Sequence, residues 1–257
     1  MSAPEAAAAD PLVQGAVILG VGLAGGFLPM LTTWTDRRLH AALALSTGIF
    51  LGAVFLHMLP ALPQAHVGDH EGHGHGVSLL WSCVLVGVLA VYLLESLVFR
   101  THDHDDLHRH RAVGWASFVG LSLHAFTTGL GLSAAGTAGA SLALPVFVAI
   151  VAHKAFEGFS LMSVFGLAHF PKRRMATLLA VFALLTPLGV WGGSFLFPSI
   201  GEDGIAVAVA LAAGTFLYVC LTELLPEVFH HREDILAKIV LLAVGIAAMG
   251  VIAAMEH

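Results

Sequence analysis

Charged side chains are scarce in this 257-residue chain: Asp, Glu, Lys and Arg together make up 11 % of it, against about 25 % in soluble domains. With 58 % hydrophobic residues and a mean hydropathy of +0.88, it has more apolar surface than one soluble core could bury. That excludes a soluble enzyme, a nucleic-acid binder and a disordered chain. Cysteine is nearly missing too. Cys83 and Cys220 both sit inside apolar runs, so neither a disulfide framework nor a CxxC metal site is available. The opening residues, MSAPEAAAAD, contain no basic residue, so the n-region of a cleavable signal is absent. What is left is the composition of a polytopic membrane protein.

Eight apolar stretches follow, about Leu12–Trp34, Leu39–Leu62, Val77–Phe99, Val113–Gly136, Pro145–Ala168, Met175–Phe197, Ile205–Phe229 and Leu236–Met255. Each reaches the roughly 20 residues that a helix needs to cross the hydrocarbon. Backbone in lipid must satisfy its own hydrogen bonds, so the stretches are predicted to be helices. The 28 glycines suit helices that pack closely. The expected fold is therefore an all-α polytopic membrane protein, with 1–257 forming one transmembrane domain. All but one of the 11 Lys and Arg fall in or beside the loops after spans 1, 3, 5 and 7. By the positive-inside rule both termini face outward and the odd loops face the cytoplasm. A His-rich loop at 62–77 is then outside and a second, at 100–112, is inside.

Spans 2 and 7 share a pattern. GIFLGAVFLHMLP (Gly48 to Pro60) aligns without gaps on GTFLYVCLTELLP (Gly214 to Pro226), which places His57 opposite Glu223. A weaker echo links Gly25–Pro29 to Gly192–Pro198. The two spans run in opposite directions, so helices 1–3 and 6–8 would form an inverted repeat, a signature of alternating-access transporters. Chance similarity of two Gly/Leu/Phe-rich helices is the competing explanation.

Histidine is abundant, with 16 residues. Few ionisable side chains lie deep in the spans, and each is costly there unless paired or facing water. They are His57, Glu95, His124, His153, Lys154, Glu157, Glu223 and Glu227. His124 is near the middle of span 4. His153 and Glu157, four apart, share one face of span 5. Two imidazoles and a carboxylate at similar depth form the ligand set of an open zinc-type site. His57 near the outer end of span 2, and Glu223 with Glu227 near the inner end of span 7, extend that centre into a path for a divalent cation. Glu95 and Glu227 also read as helix-end residues at headgroup level. The loop histidines (His66, His70, His73 and His75 outside; His102, His104, His108 and His110 inside) have metal-binding composition, and each is equally readable as a solvated loop residue.

The chain resembles the ZIP (Zrt-, Irt-like) family of divalent metal transporters over essentially its whole length. HAFTTGL (His124–Leu130) resembles the family's His-x-x-x-x-Gly segment, and HKAFEGFSL (His153–Leu161) its His-x-x-x-Glu-Gly segment. FALLTPLG (Phe182–Gly189) and AGTFLYVCLTELLPE (Ala213–Glu227) are similar to helices 6 and 7 of the family. The resemblance implies a three-two-three helix arrangement, elevator-like alternating access, and Zn²⁺ uptake toward the cytoplasm with His124, His153 and Glu157 as primary ligands. One departure stands out. Family members with a two-metal centre have Asn and Glu in helix 4 and Asp in helix 5 where this chain has Ala125, Thr128 and Lys154. A single transport site is therefore expected, with the Lys154 ammonium either standing in for the second cation or buried with a depressed pKa.

Imidazole with carboxylate suits Zn²⁺, with Fe²⁺, Mn²⁺, Co²⁺ and Cd²⁺ also compatible, while the lack of thiolate disfavours Cu⁺. The expected partners are the cation and the lipid bilayer of a plasma (inner) membrane, without nucleic acid, and a homodimer is left open. No enzymatic activity is expected. The alternatives are a selective divalent-cation channel and a histidine-box membrane metalloenzyme. Because imidazole must be neutral to bind a metal, uptake should weaken as external pH falls below roughly 6. A pH profile of metal flux checks this, and uptake that rises steadily down to about pH 5 would instead indicate proton coupling.

Overall fold

The computed structural model describes residues 10–31, 34–62, 75–98, 106–138, 140–230 and 233–255. Eight helices in it are long and apolar enough to cross a membrane, and no strand occurs among the described residues. They are α1 (Pro11–Leu31), α2 (Asp36–Met58), α3 (His75–Val98), α4 (Asp106–Ala138), α5 (Ala140–Leu167), α6 (Lys172–Phe195), α7 (Ala206–Val228) and α8 (Ile235–Met255). Helical backbone continues from Lys172 to Tyr218, so α6 and α7 belong to one stretch that must double back. Gly129 of α4 abuts Gly189, yet Gly131, the next residue but one, meets Val209. Along a straight helix Gly189 and Val209 would stand ~30 Å apart.

Two boundaries differ from the sequence expectation. The stretches expected as loops at 62–77 and 100–112 are partly helical, since α3 already starts at His75 and α4 at Asp106. Hydropathy marks where a helix enters lipid, whereas its hydrogen-bonded backbone can continue through polar residues into the headgroup region. Residues 63–74 and 99–105, with most of the loop histidines, lie outside the described residues.

Enclosure is uneven. Of the most apolar 18 residues of each span, 72 % are buried in α2 and 61 % in both α5 and α7, against 17 % in α8. The main core contains Leu43, Phe50, Ala53, Leu121, Phe165, Phe182, Phe216 and Leu224 and lies among α2, α4, α5, α6 and α7. Close crossings position these helices. A Cβ on Gly48 would stand 2.1 Å from the Leu242 carbonyl of α8, and one on Gly214 would stand 2.1 Å from the Val84 carbonyl of α3. Backbone cannot yield to such a contact. Gly214→Leu is thus expected to destabilise the fold by at least 1–3 kcal/mol, read as a lower thermal midpoint in detergent, whereas Gly20→Leu, with open space at its Cβ position, should leave the midpoint near wild type.

Spans α2 and α7 share more than sequence. Each contains one π-helical segment, Ala53–Met58 and Val219–Leu224, and the two coincide residue for residue in the Gly48/Gly214 alignment. Each is followed by a short α-turn with proline second, Pro60 or Pro226. Proline removes a backbone donor and clashes with the carbonyl four residues back. A widened turn just before it accommodates both effects. The aligned Phe50 and Phe216 touch each other, with ring centroids 5.1 Å apart.

Candidate metal centre

His124 and His153 occupy equivalent places on their helices. Each precedes by five residues a glycine at a tight crossing: Gly129 against Gly189 of α6, and Gly158 against Gly22 and Gly26 of α1. Those crossings hold α4 and α5 in the bundle at the depth where the two imidazoles meet. His124 Nε2 lies 3.5 Å and His153 Nε2 3.3 Å from Glu157 Oε1. One ligand atom from each residue falls within 4.8 Å of the others, and all three side chains are buried. Among the described residues no other group of three metal-ligating side chains is so close. Two ligands of a tetrahedral zinc with bonds of about 2.0–2.1 Å stand ~3.3 Å apart, so the imidazole–carboxylate spacing fits one such ion.

The surroundings fix each ligand. His124 Nδ1 lies 3.4 Å from the Ala212 carbonyl of α7, and Nδ1–H donation to that oxygen leaves the Nε2 lone pair toward Glu157. This is the outer hydrogen bond that metal-binding histidines usually make. The Thr128 hydroxyl meets Nε2 at 3.2 Å. The His124 ring stacks on Phe216, with centroids 3.8 Å apart and planes 14° off parallel. His153 Nδ1 is buried without a hydrogen-bond partner, which is costly unless a ligand or water satisfies the group. Glu157 divides its carboxylate, with Oε1 facing the imidazoles and Oε2 accepting from Lys154 Nζ at 2.6 Å. The ammonium also lies over the Phe182 ring, 4.4 Å from its centroid, a cation–π contact. Lys154 is therefore paired with Glu157 in the buried interior.

The remaining sequence candidates lie outside this group. His57 is half-buried in the α2 π segment, and the aligned Glu223 is buried in that of α7. The Thr222 hydroxyl lies 3.5 Å from Glu223 Oε1. Glu227, 1 % exposed, has an oxygen 3.8 Å from Nε2 of His40. Glu95 accepts a hydrogen bond from Tyr218 across the α3–α7 contact. His66, His70, His73, His102 and His104 lie outside the described residues. Sequence reasoning missed three features. His40 sits at the start of a span, where an imidazole looks like a headgroup residue. Phe216 and Phe182 are indistinguishable in sequence from core filler, although the alignment of Phe50 on Phe216 carried the signal for one of them.

A family model described as ZIP zinc transporter matches residues 11–105 and 99–253. The chain belongs to the ZIP zinc transporter family. Among its relatives are zinc transporter ZIP9-B of Xenopus laevis, 28 % identical over 87 % of this chain and 88 % of the relative, and zinc transporter ZIP1 of Danio rerio, 28 % identical over 75 % and 58 %. Zinc transporter 9 of Oryza sativa subsp. japonica is 29 % identical over 72 % and 53 %. Membership in the ZIP family together with eight apolar helices makes this a multi-pass membrane protein. In this ZIP chain the buried group takes His124 from the first of the four resembling segments and His153 and Glu157 from the second.

Proposed function

We propose that the protein carries a divalent cation, Zn²⁺ foremost, across the membrane toward the cytoplasm, holding one ion at a time on His124, His153 and Glu157. The observation that carries this reading is the buried convergence of those three ligand atoms within 4.8 Å, with neither ring nitrogen of His153 hydrogen-bonded. Imidazole and carboxylate form a borderline ligand set that also admits Fe²⁺, Mn²⁺, Co²⁺ or Cd²⁺. A single ion follows from Lys154, whose ammonium occupies Glu157 Oε2. Ala125 and Thr128 offer no charged ligand beside it.

Access is of the alternating, elevator type in this reading. The ligands are shut in, with His153 the most exposed of the three at 5 %. The contacting Phe50 and Phe216 and the paired π segments of α2 and α7 support an inverted repeat of helices 1–3 and 6–8 around α4 and α5, a three-two-three arrangement. His57 in one π segment serves the outer approach; Glu223 in the other, with Glu227, serves the inner exit. Both termini lie outside, by the distribution of basic residues, and the site of action is a plasma (inner) membrane.

Zinc uptake into liposomes containing the purified chain tests the reading. Flux that saturates at low metal and rises steeply with temperature supports a carrier. Flux linear in metal with weak temperature dependence would make it a channel, and oxygen-dependent chemistry without flux would make it an enzyme.

A further inference from the structure

Hydroxyl groups on several spans bond back along their own helix. Ser46, Ser163, Thr177 and Thr222 each donate to the carbonyl four residues earlier, at 3.0, 2.8, 3.1 and 2.7 Å. Thr127 does the same toward Leu123 at 2.8 Å, as hydroxyls in helices commonly do. Thr128, the next residue, turns elsewhere: its Oγ1 meets His124 Nε2 at 3.2 Å. The far side of the ring sets the direction of that bond. His124 Nδ1 lies 3.4 Å from the Ala212 carbonyl, an oxygen that also accepts from the Thr215 hydroxyl. A carbonyl only accepts, so in the neutral imidazole the proton is on Nδ1 and Nε2 is the acceptor. The Thr128 hydroxyl is therefore the donor. Stacking on Phe216, with planes 14° off parallel, holds the ring so that Nε2 faces both this hydroxyl and Glu157 Oε1, which is 3.5 Å away. That same oxygen faces His153, and the Lys154 ammonium pairs with the other one.

We infer that Thr128 sets the affinity of the centre for its cation by holding, in the empty state, the lone pair that the ion must take. The inference rests on the transport reading above, in which His124 is a ligand. Nε2 has a single lone pair. Without metal the Thr128 hydroxyl occupies it; with metal the ion does. Loading therefore breaks one hydrogen bond and release restores it, so the hydroxyl works against binding and in favour of letting go. It does so without charge, in contrast to the Lys154 ammonium beside Glu157. A carboxylate in its place would attract the ion, and an apolar side chain would leave a buried acceptor without its donor, which is costly.

Zinc binding to the purified full-length protein in detergent is measured by equilibrium dialysis, the centre being the site that His153→Ala abolishes. Thr128→Val keeps the branched shape and loses the hydroxyl. It is expected to bind zinc about fivefold more tightly than wild type, the worth of one neutral hydrogen bond, and Thr128→Ser to bind as wild type does. In liposomes Thr128→Val should lower both the half-saturating zinc concentration and the maximal uptake, because release is slowed; a loss of packing alone would not tighten binding. Unchanged affinity in Thr128→Val overturns the inference. Weaker binding overturns it too and would make the hydroxyl a ligand of the ion. Were wild type and His153→Ala to bind zinc alike, the proposed centre and this inference would fall together. Loss of binding in His153→Ala with no change in Thr128→Val would remove the part given to Thr128 and leave the transport reading standing.

Discussion

Zinc uptake by liposomes carrying His153→Ala is expected to fall at least about 100-fold at equal incorporation, because losing even an outer partner of a metal ligand costs 10–100-fold and His153 is proposed as a ligand itself. Folding should survive, since neither of its ring nitrogens makes a hydrogen bond within the protein. Glu157→Ala should behave differently. It leaves the Lys154 ammonium, 1 % exposed, without its carboxylate, and an unpaired buried charge costs about 3–5 kcal/mol. Both transport and thermal midpoint should therefore drop. Adding Lys154→Met to Glu157→Ala removes the stranded charge, so the midpoint should recover while uptake stays lost. Normal uptake by His153→Ala, or by the double variant, would show that the cation binds elsewhere.

Lys154→Met alone is expected to tighten zinc binding at least tenfold while slowing release and turnover. The ammonium lies 2.6 Å from the carboxylate that the metal would share, and two like charges about 4 Å apart repel by ~4 kcal/mol at an effective dielectric of 20. Without zinc the variant carries an unpaired buried carboxylate, so its thermal midpoint should fall and its stabilisation by added zinc should exceed that of wild type. Metal counting accompanies the measurement. One zinc per chain is expected at the centre, and two would end the single-ion reading. Unchanged affinity in Lys154→Met would remove the ammonium from any part in setting zinc binding.

The eight spans were legible because hydropathy over about 20 residues is a direct image of bilayer thickness, and all eight recur in the structure within a few residues. The convergence of His124, His153 and Glu157 was legible through spacing. His153 and Glu157 are four apart on a helix, and an imidazole at mid-depth in the neighbouring span had few other partners to meet. Other features depend on three-dimensional register. The π segments of α2 and α7 are not visible in composition; the aligned prolines hinted at them, but a proline alone does not distinguish a kink from a widened turn. Burial of His40 against Glu227 depends on how α2 and α7 cross at one end. Division of the Glu157 carboxylate between imidazoles and ammonium could not be read from sequence, where Lys154 remained either a stand-in charge or a group of depressed pKa.

The Lys154–Glu157 pair also determines how the carrier would respond to an electric field. With both imidazoles neutral, the empty centre has no net charge, and loading one Zn²⁺ gives it two. Membrane voltage acts on moving charge at about 2.3 kcal/mol per elementary charge per 100 mV. An inside-negative potential would therefore pull the loaded centre inward with up to ~4.6 kcal/mol per 100 mV, and the empty centre would return without opposition. A glutamate lacking its lysine would be dragged outward empty and would carry only one net charge when loaded. In the proposed cycle, the internal ion pair would make voltage act on the loaded half alone.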